Sequence, residues 1–493
     1  MLTSRKSWLR GAGLATSIAG LFLATERLWA AGETTAKPVV EIPVVVQDWG
    51  DPNGNMESAI THTLIPYKGP SHPGVDVSTL TGKVMCGYQG WFAAQGDGAA
   101  KGWTHYGGRN GFAPGSCVID YWPDVSELDP DERYPTRFLN ADGKPAEVFS
   151  PNNRKTVLRH FKWMQDYGID GVWVQRFVND IASPKGAREV NIVLNHCREG
   201  ANLYGRTYAV MYDLSGMGGG QMSRVINDWK LLVDKMHITE DPAYQRHAGK
   251  PVVSLWGFGF SDGRRYTPEE GMELVKFLKD DPHYGGCTVM LGVPTYFRDL
   301  NVDTNPDPYL HKLIEMSDVV MPWMVQRFTP LLQFNDVTRY EEQVKADIAW
   351  CAARHVDYVP CVSPGFSWYN MHANGRGASR ANNAMLFPLN QIPRQKGIFY
   401  WSEISAAIDA KAKMLYVAMF DEMDEGTAIL KCSNNPPPDI KVCDYEGMPT
   451  DHYLWLTGKA GQMLRGEMPF SPRIPAREAA EPVNRDKPSP GAP

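Results

Sequence analysis

Short apolar runs alternate with longer amphipathic windows along most of this chain. The runs are KVMCGY (83–88), DGVWVQ (170–175), TYAVMY (207–212), PVVSLW (251–256), TVMLGV (288–293), DVVMPW (318–323), DYVPCV (357–362) and MLYVAMF (414–420). Most are apolar throughout rather than at every second position, which predicts strands covered on both faces. Between them stand windows of helical period, such as NRKTVLRHFKWMQDYG, GAREVNIVLNHCREG, SRVINDWKLLVDKMH, TPEEGMELVKFLKDD and TRYEEQVKADIAWCAARH. In the first of these, Val157, Phe161, Met164 and Tyr167 share one face at steps of three and four, and Gly168 stands where a left-handed C-cap belongs.

Strands that alternate with helices in this way predict an α/β fold with a parallel sheet. Eight units predict a (β/α)8 TIM barrel, a single catalytic domain over residues 83–466 with long βα loops. An open doubly wound sheet is the alternative, but no Gly-rich nucleotide loop follows the first strand. Residues 1–31 read as a signal peptide: a basic start, an apolar stretch from Gly11 to Ala24, and small residues at Ala30 and Ala31. The piece SRKSWLR resembles the twin-arginine export consensus with Lys6 in place of the second arginine. The expected location is therefore periplasmic or secreted, with no stable membrane insertion once the signal is removed, since the apolar stretch is too short for a span. Residues 32–82 read as an N-terminal arm and 467–493 as a disordered tail.

Composition narrows the function classes. The chain has 493 residues, 43% apolar and 22% charged, with a formal net charge of -6. That suffices for a barrel-sized core, and without a Lys/Arg block it gives no electrostatic footprint for nucleic acid. Its 15 Trp and 21 Tyr suit a sugar-binding surface, because the C–H faces of sugar rings pack on aromatic faces. Core packing accounts for most of them equally well. Most of the eight cysteines sit in apolar segments and read as small core residues. Cys432 and Cys443 differ, since they flank the Pro-rich loop CSNNPPPDIKVC; a disulfide would staple that loop, and free thiols are the alternative. No Cys/His group has zinc-site spacing, and no metal or organic cofactor is expected.

In a barrel, reactive groups come from the C-terminal ends of the strands. Those ends are polar and aromatic here: Tyr88, Gln89 and Trp91 with Trp103 and His105, then Gln175 and Arg176, Tyr212 and Asp213, and Trp256. Tyr296, Trp323, Arg327 and Trp368 follow from the later units. The last strand runs into Asp421, Glu422, Asp424 and Glu425. Carboxylates three apart on a turn or helical start project to one side, so Glu422 and Glu425 can face one cavity. Two partly desolvated acids at close range cannot both ionise freely, which yields a proton donor beside a proton acceptor. Glycoside hydrolysis needs such a pair. A solvated acidic turn capping a helix is the structural alternative.

The stretch FDEMDEGTAI (420–429) resembles the FNEWHEGTQI motif that ends the eighth barrel strand in glycoside hydrolase family 99, the endo-α-mannosidases, and is similar to the related family 71 α-1,3-glucanases. Further echoes run in order along residues 83–466: YQGWF with GWTHYG, RKTVLRHFKWMQDYGIDGVWVQRF, VPCVSPGF and YLWLTGKAGQML. The resemblance implies a retaining α-glycosidase acting on mannose-type glycans, with an oligo- or polysaccharide as its partner. It assigns Glu425 as general acid/base and Glu422 as the base that takes the sugar 2-hydroxyl proton, so that this hydroxyl attacks C1. The chain departs from the motif at Asp421, Met423 and Asp424, and has Tyr212-Asp213 where the family shows Glu-Pro. Asp424 then joins the substrate-facing candidates. Three rivals remain open: an α-glucan hydrolase, a non-catalytic carbohydrate-binding protein on the same barrel, and a metal-dependent hydrolase using Asp120, Asp213 and His105 with the acidic cluster.

Overall fold

All eight apolar runs form strand in the computed structural model, which describes residues 47–108, 110–328, 336–375 and 387–477. The expected signal peptide, the start of the arm and most of the expected tail lie outside the described residues. The strands are β1 (Val84–Tyr88), β2 (Tyr134–Leu139), β3 (Pro145–Val148), β4 (Gly171–Phe177), β5 (Thr207–Asp213), β6 (Arg246–His247), β7 (Lys250–Trp256), β8 (Thr288–Pro294), β9 (Val319–Trp323), β10 (Asp357–Tyr358), β11 (Cys361–Val362) and β12 (Leu415–Val417).

Nine of them are parallel and pair in the order β10-β9-β8-β7-β5-β4-β1-β12-β11, flanked by helices in an architecture like that of TIM barrels. The count exceeds eight because the seventh apolar run is interrupted. Val359 and Pro360 separate β10 from β11, and Pro360 has no N–H to give a ladder. The hairpin β2–β3 and the two-residue β6, antiparallel to β7, were not legible in the periodicity.

The helices form where the pattern placed them, with identifiable ends. Helix Arg154–Tyr167 begins at Asn153, whose side chain accepts from the Lys155 N–H, and stops at Gly168 in the left-handed region. Helix Pro268–Asp280 opens with a capping box between Thr267 and Glu270. Helix Met56–Thr63 lies in the arm and is tied to helix Pro184–Tyr204 by Asn191 Nδ2 on Thr63 Oγ1 (2.9 Å) and Asn195 Nδ2 on the Thr63 carbonyl (2.7 Å). Among the described residues no helix is long and apolar enough to cross a membrane. Because the nine strands are parallel, the residues that follow β1, β4, β5, β7 and β12 emerge at one end of the sheet.

Candidate active site

The turn after β12 is buried, although it carries four carboxylates. Asp421 and Asp424 are 0% exposed and Glu422 2%, while Glu425 is partly open. Gly426 makes this turn possible: its φ is +67°, and a Cβ there would meet the Ser367 amide nitrogen at 2.7 Å. Arg394 holds the turn from behind. Its Nη2 donates to the carbonyls of Gly426 (2.8 Å) and Ala428 (2.7 Å), and its guanidinium packs on the rings of Tyr121, Tyr453 and Tyr445.

The four acids have separate roles. Asp421 accepts the backbone N–H of Gln89 (2.7 Å) and of Gly90 (2.8 Å), so it ties the end of β12 to the loop after β1. Burial still pushes its carboxyl up to about 7 against the pull of those amides. Glu422 accepts Gln89 Nε2 on Oε1 (2.7 Å) and the Thr427 hydroxyl on Oε2 (2.9 Å). Burial first, then the charges of Glu425 and Asp424, hold it well above the usual carboxylate range. Glu425 is pushed up to about 8 by burial, then by Asp424 and Asp213. Asp424 bonds His105 Nδ1 through Oδ2 (2.8 Å), and its buried Oδ1 has no partner among the described residues. His105 lies flat on Trp91, with ring centres 3.8 Å apart and planes 4° apart, and Trp91 in turn stacks on Phe177.

Strand alternation decides which of the other candidates reach this centre. Successive side chains point to opposite faces of a strand. Gln175 turns into the sheet's concave side, where its Nε2 meets Met211 Sδ (3.2 Å) and the Tyr416 hydroxyl (3.4 Å). Its neighbour Arg176 therefore points to the helices: it grips Asp228 twice (2.9 and 2.6 Å) and Asn191 once (2.9 Å). Tyr212, paired with Arg176 in register, does likewise and donates to Asp228 (2.7 Å). Tyr88 bonds His160 on helix Arg154–Tyr167 (3.0 Å). Tyr88, Arg176 and Tyr212 are thus packed between sheet and helices, and the expectation that they contact substrate is corrected accordingly. Asp213 lies one residue on from Tyr212, on the same face as the acids. Burial raises it, and it is near enough to Glu425 to raise that residue in turn.

Trp256 is beside Asp213 in register and meets Trp323 edge to face (5.5 Å), which continues to Tyr416 (6.4 Å). Arg264 covers Trp256, its guanidinium 4.9 Å from the ring centre. Arg327 is committed to Asp303 (2.7 Å), which also accepts the amides of Thr295 and Tyr296, so this pair clamps the loop after β8. Tyr296 lines a separate cavity with Arg298, Phe328 and Gln343. Trp103 packs on Phe112 (5.3 Å), and Trp368 on Phe366 and Phe387.

Two readings that the sequence left open bear on this region. Cys432 and Cys443 are both free and buried: the first thiol lies by Tyr445 and Arg394, the second by Asp120 and Ser367. Asp120 spends its oxygens on Ser367 Oγ (2.6 Å) and the amides of Tyr369 (2.7 Å) and Asn370 (2.9 Å), which anchors the loop after β11 and leaves it poorly placed as a metal ligand. Among the described residues no group of three or more His, Cys, Asp and Glu side chains is arranged to hold a metal ion. Sequence reasoning missed Thr427 as a partner of Glu422, and it missed Arg394. The Gly-Thr pair after the second glutamate was a usable signal for Thr427; nothing in QIPRQKG marks Arg394.

No family model matches the chain, and no curated protein matches it. Its fold is similar to that of the GH99 endo-α-mannosidase from Bacteroides thetaiotaomicron, at 16% sequence identity and a TM-score of 0.55, over 79% of this chain and 99% of that one. A structure of a GH99 endo-α-mannosidase in complex with bis-tris-propane matches with the same figures. At this identity the likeness is one of fold.

Proposed function

We propose that this chain is an exported glycoside hydrolase, a retaining α-glycosidase acting on mannose-type glycans with Glu422 and Glu425 as the catalytic pair. The observation that carries the reading is the unequal treatment of two glutamates three residues apart in one turn. Both Glu422 oxygens accept a hydrogen bond, from Gln89 and Thr427, which favours its charged form. Glu425 has no such donor among the described residues, and burial raises both carboxyls. On the difference in donors we assign the proton shared by the pair at neutral pH to Glu425.

Glu425 then gives its proton to the departing glycosidic oxygen as the C1–O bond breaks, and Glu422 takes the proton of the sugar 2-hydroxyl as that oxygen closes on C1. In the second half Glu425 takes a proton from the attacking water, the C1–O2 bond opens, and Glu422 returns its proton to O2. Two inversions give net retention. His105 and Trp323, both partly exposed, offer ring faces to the flanking sugars. The proposal extends to the architecture. Val359 donates to the Val320 carbonyl (2.9 Å) and Tyr416 to the Pro360 carbonyl (3.0 Å), which supports reading β10 and β11 as one interrupted strand that closes an eight-stranded barrel.

Glu425→Gln is expected to reduce hydrolysis of the glycan by about 10²–10⁴-fold while retaining its binding, since the amide keeps the shape without a proton to give. Incubation of the purified protein with mannans, α-glucans and released N-glycans, with anomer-resolved product analysis, identifies the sugar. Retained turnover in the variant contradicts the assignment. Cleavage of α-glucans alone favours the glucan hydrolase, and binding without cleavage by the wild type favours the carbohydrate-binding protein.

A further inference from the structure

The acidic turn contains two aspartates that the proposed reaction does not use, and they differ in what neutralises them. Asp421 is enclosed by two backbone amides. Among the described residues Asp424 has one ion-pair partner, His105, which arrives from the loop after β1. Two constraints hold His105 independently of that bond. Its ring is stacked flat on Trp91, and its backbone sits at φ +60°, in the left-handed region. An imidazole fixed in this way fixes the carboxylate bonded to it.

We propose that His105 and Asp424 are a positioning pair: His105 pins the Asp424 carboxylate beside the two glutamates, and its charge holds a proton on that pair, which the reaction proposed above draws from Glu425. The inference rests on the glutamate pair proposed above and adds residues that set its protonation. Every charged neighbour of the turn enters the balance. Glu422 and Asp424 share the turn with Glu425. Asp213 faces it from the end of β5, with Arg264 and Asp262 behind. Tyr416 lies near Glu422. Arg394, Asp421 and Asp120 are engaged with backbone groups. Of the two charges that act on Glu425 after burial, Asp424 precedes Asp213.

Protonation of Glu425 can be read without turnover, because carbodiimide activation needs the protonated carboxyl. The full-length protein is coupled to an amine across pH, and the Glu425 peptide is quantified by mass spectrometry. In the wild type, labelling is expected to persist to about 8. Asp424→Asn is expected to lower the labelling midpoint, and with it the alkaline limb of turnover, by roughly one pH unit. His105→Gln keeps a donor to Asp424 and is expected to leave the midpoint in place, whereas His105→Ala moves it part of the way. A folded Asp424→Asn with an unmoved midpoint overturns the inference. If that variant does not fold, an unmoved midpoint in His105→Ala overturns it, as does wild-type labelling lost by about pH 5. A midpoint that shifts in a protein that cleaves no glycan supports the pair and contradicts the hydrolase reading; cleavage with an unmoved midpoint does the reverse.

Discussion

Two buried charge networks in this molecule are built to opposite rules. Between sheet and helices, Arg176 meets Asp228 in a two-point contact, and Asn191 and Tyr212 complete the set. The charge of Arg176 is balanced by Asp228 beside it. At the end of β12, four carboxylates share one imidazole, two backbone amides, a Gln and a Thr. Balanced burial secures the packing of helices on strands, while unbalanced burial keeps protons on acids that water would ionise. That surplus of carboxylate is the reason the proposed reaction is assigned to the second network.

Exchanging one carboxylate in each network tests the contrast most sharply. Glu425→Gln is expected to reduce turnover by about 10²–10⁴-fold with the fold unchanged, measured by steady-state kinetics and circular dichroism. Asp228→Ala is expected to do the opposite, with a loss of about 3–5 kcal/mol in denaturant unfolding, because Arg176 is left buried and uncompensated. Equal damage to stability from both substitutions would remove the distinction.

The next effect is smaller and depends on pH. Glu425 ionises at about 8 in the folded protein and near its ordinary 4.5 when unfolded. Between those values the folded state binds more protons, so stability falls as pH rises, by about 1 kcal/mol per pH unit. Asp421, raised to about 7, acts with the same sign. Melting temperatures from pH 5 to pH 8 should therefore decline in the wild type and decline less in Glu425→Gln. A parallel decline in both would place the titrating group elsewhere. The smallest effect is none at all: with Cys432 and Cys443 free, a reductant should leave the melting temperature unchanged.

Much of the fold was legible because its signals are local. Eight apolar runs became strand, and Gly168 ended its helix where the sequence placed it. The strand-end candidates were harder, since a position at the end of a strand does not say which face a side chain takes. Gln175 and Arg176 are adjacent and polar, yet one meets Tyr416 and the other Asp228. The deciding fact is a long-range partner that periodicity does not reveal. The same holds for Arg394, which serves the acidic turn through carbonyls at Gly426 and Ala428. Asp421 and Asp424 looked alike in the sequence, and only contacts from the loop after β1 separate them.

The central claim is that Glu425 gives the proton and Glu422 does not. It is tested most directly by comparing Glu425→Gln and Glu422→Gln on two substrates of the sugar identified by the glycan screen: the natural linkage, and a dinitrophenyl glycoside whose leaving group needs no proton. The account predicts that Glu425→Gln loses the natural substrate yet releases dinitrophenolate from the activated one in the first turnover within about tenfold of wild type, while Glu422→Gln fails on both. Loss of both substrates in Glu425→Gln, or rescue of Glu422→Gln instead, would contradict it.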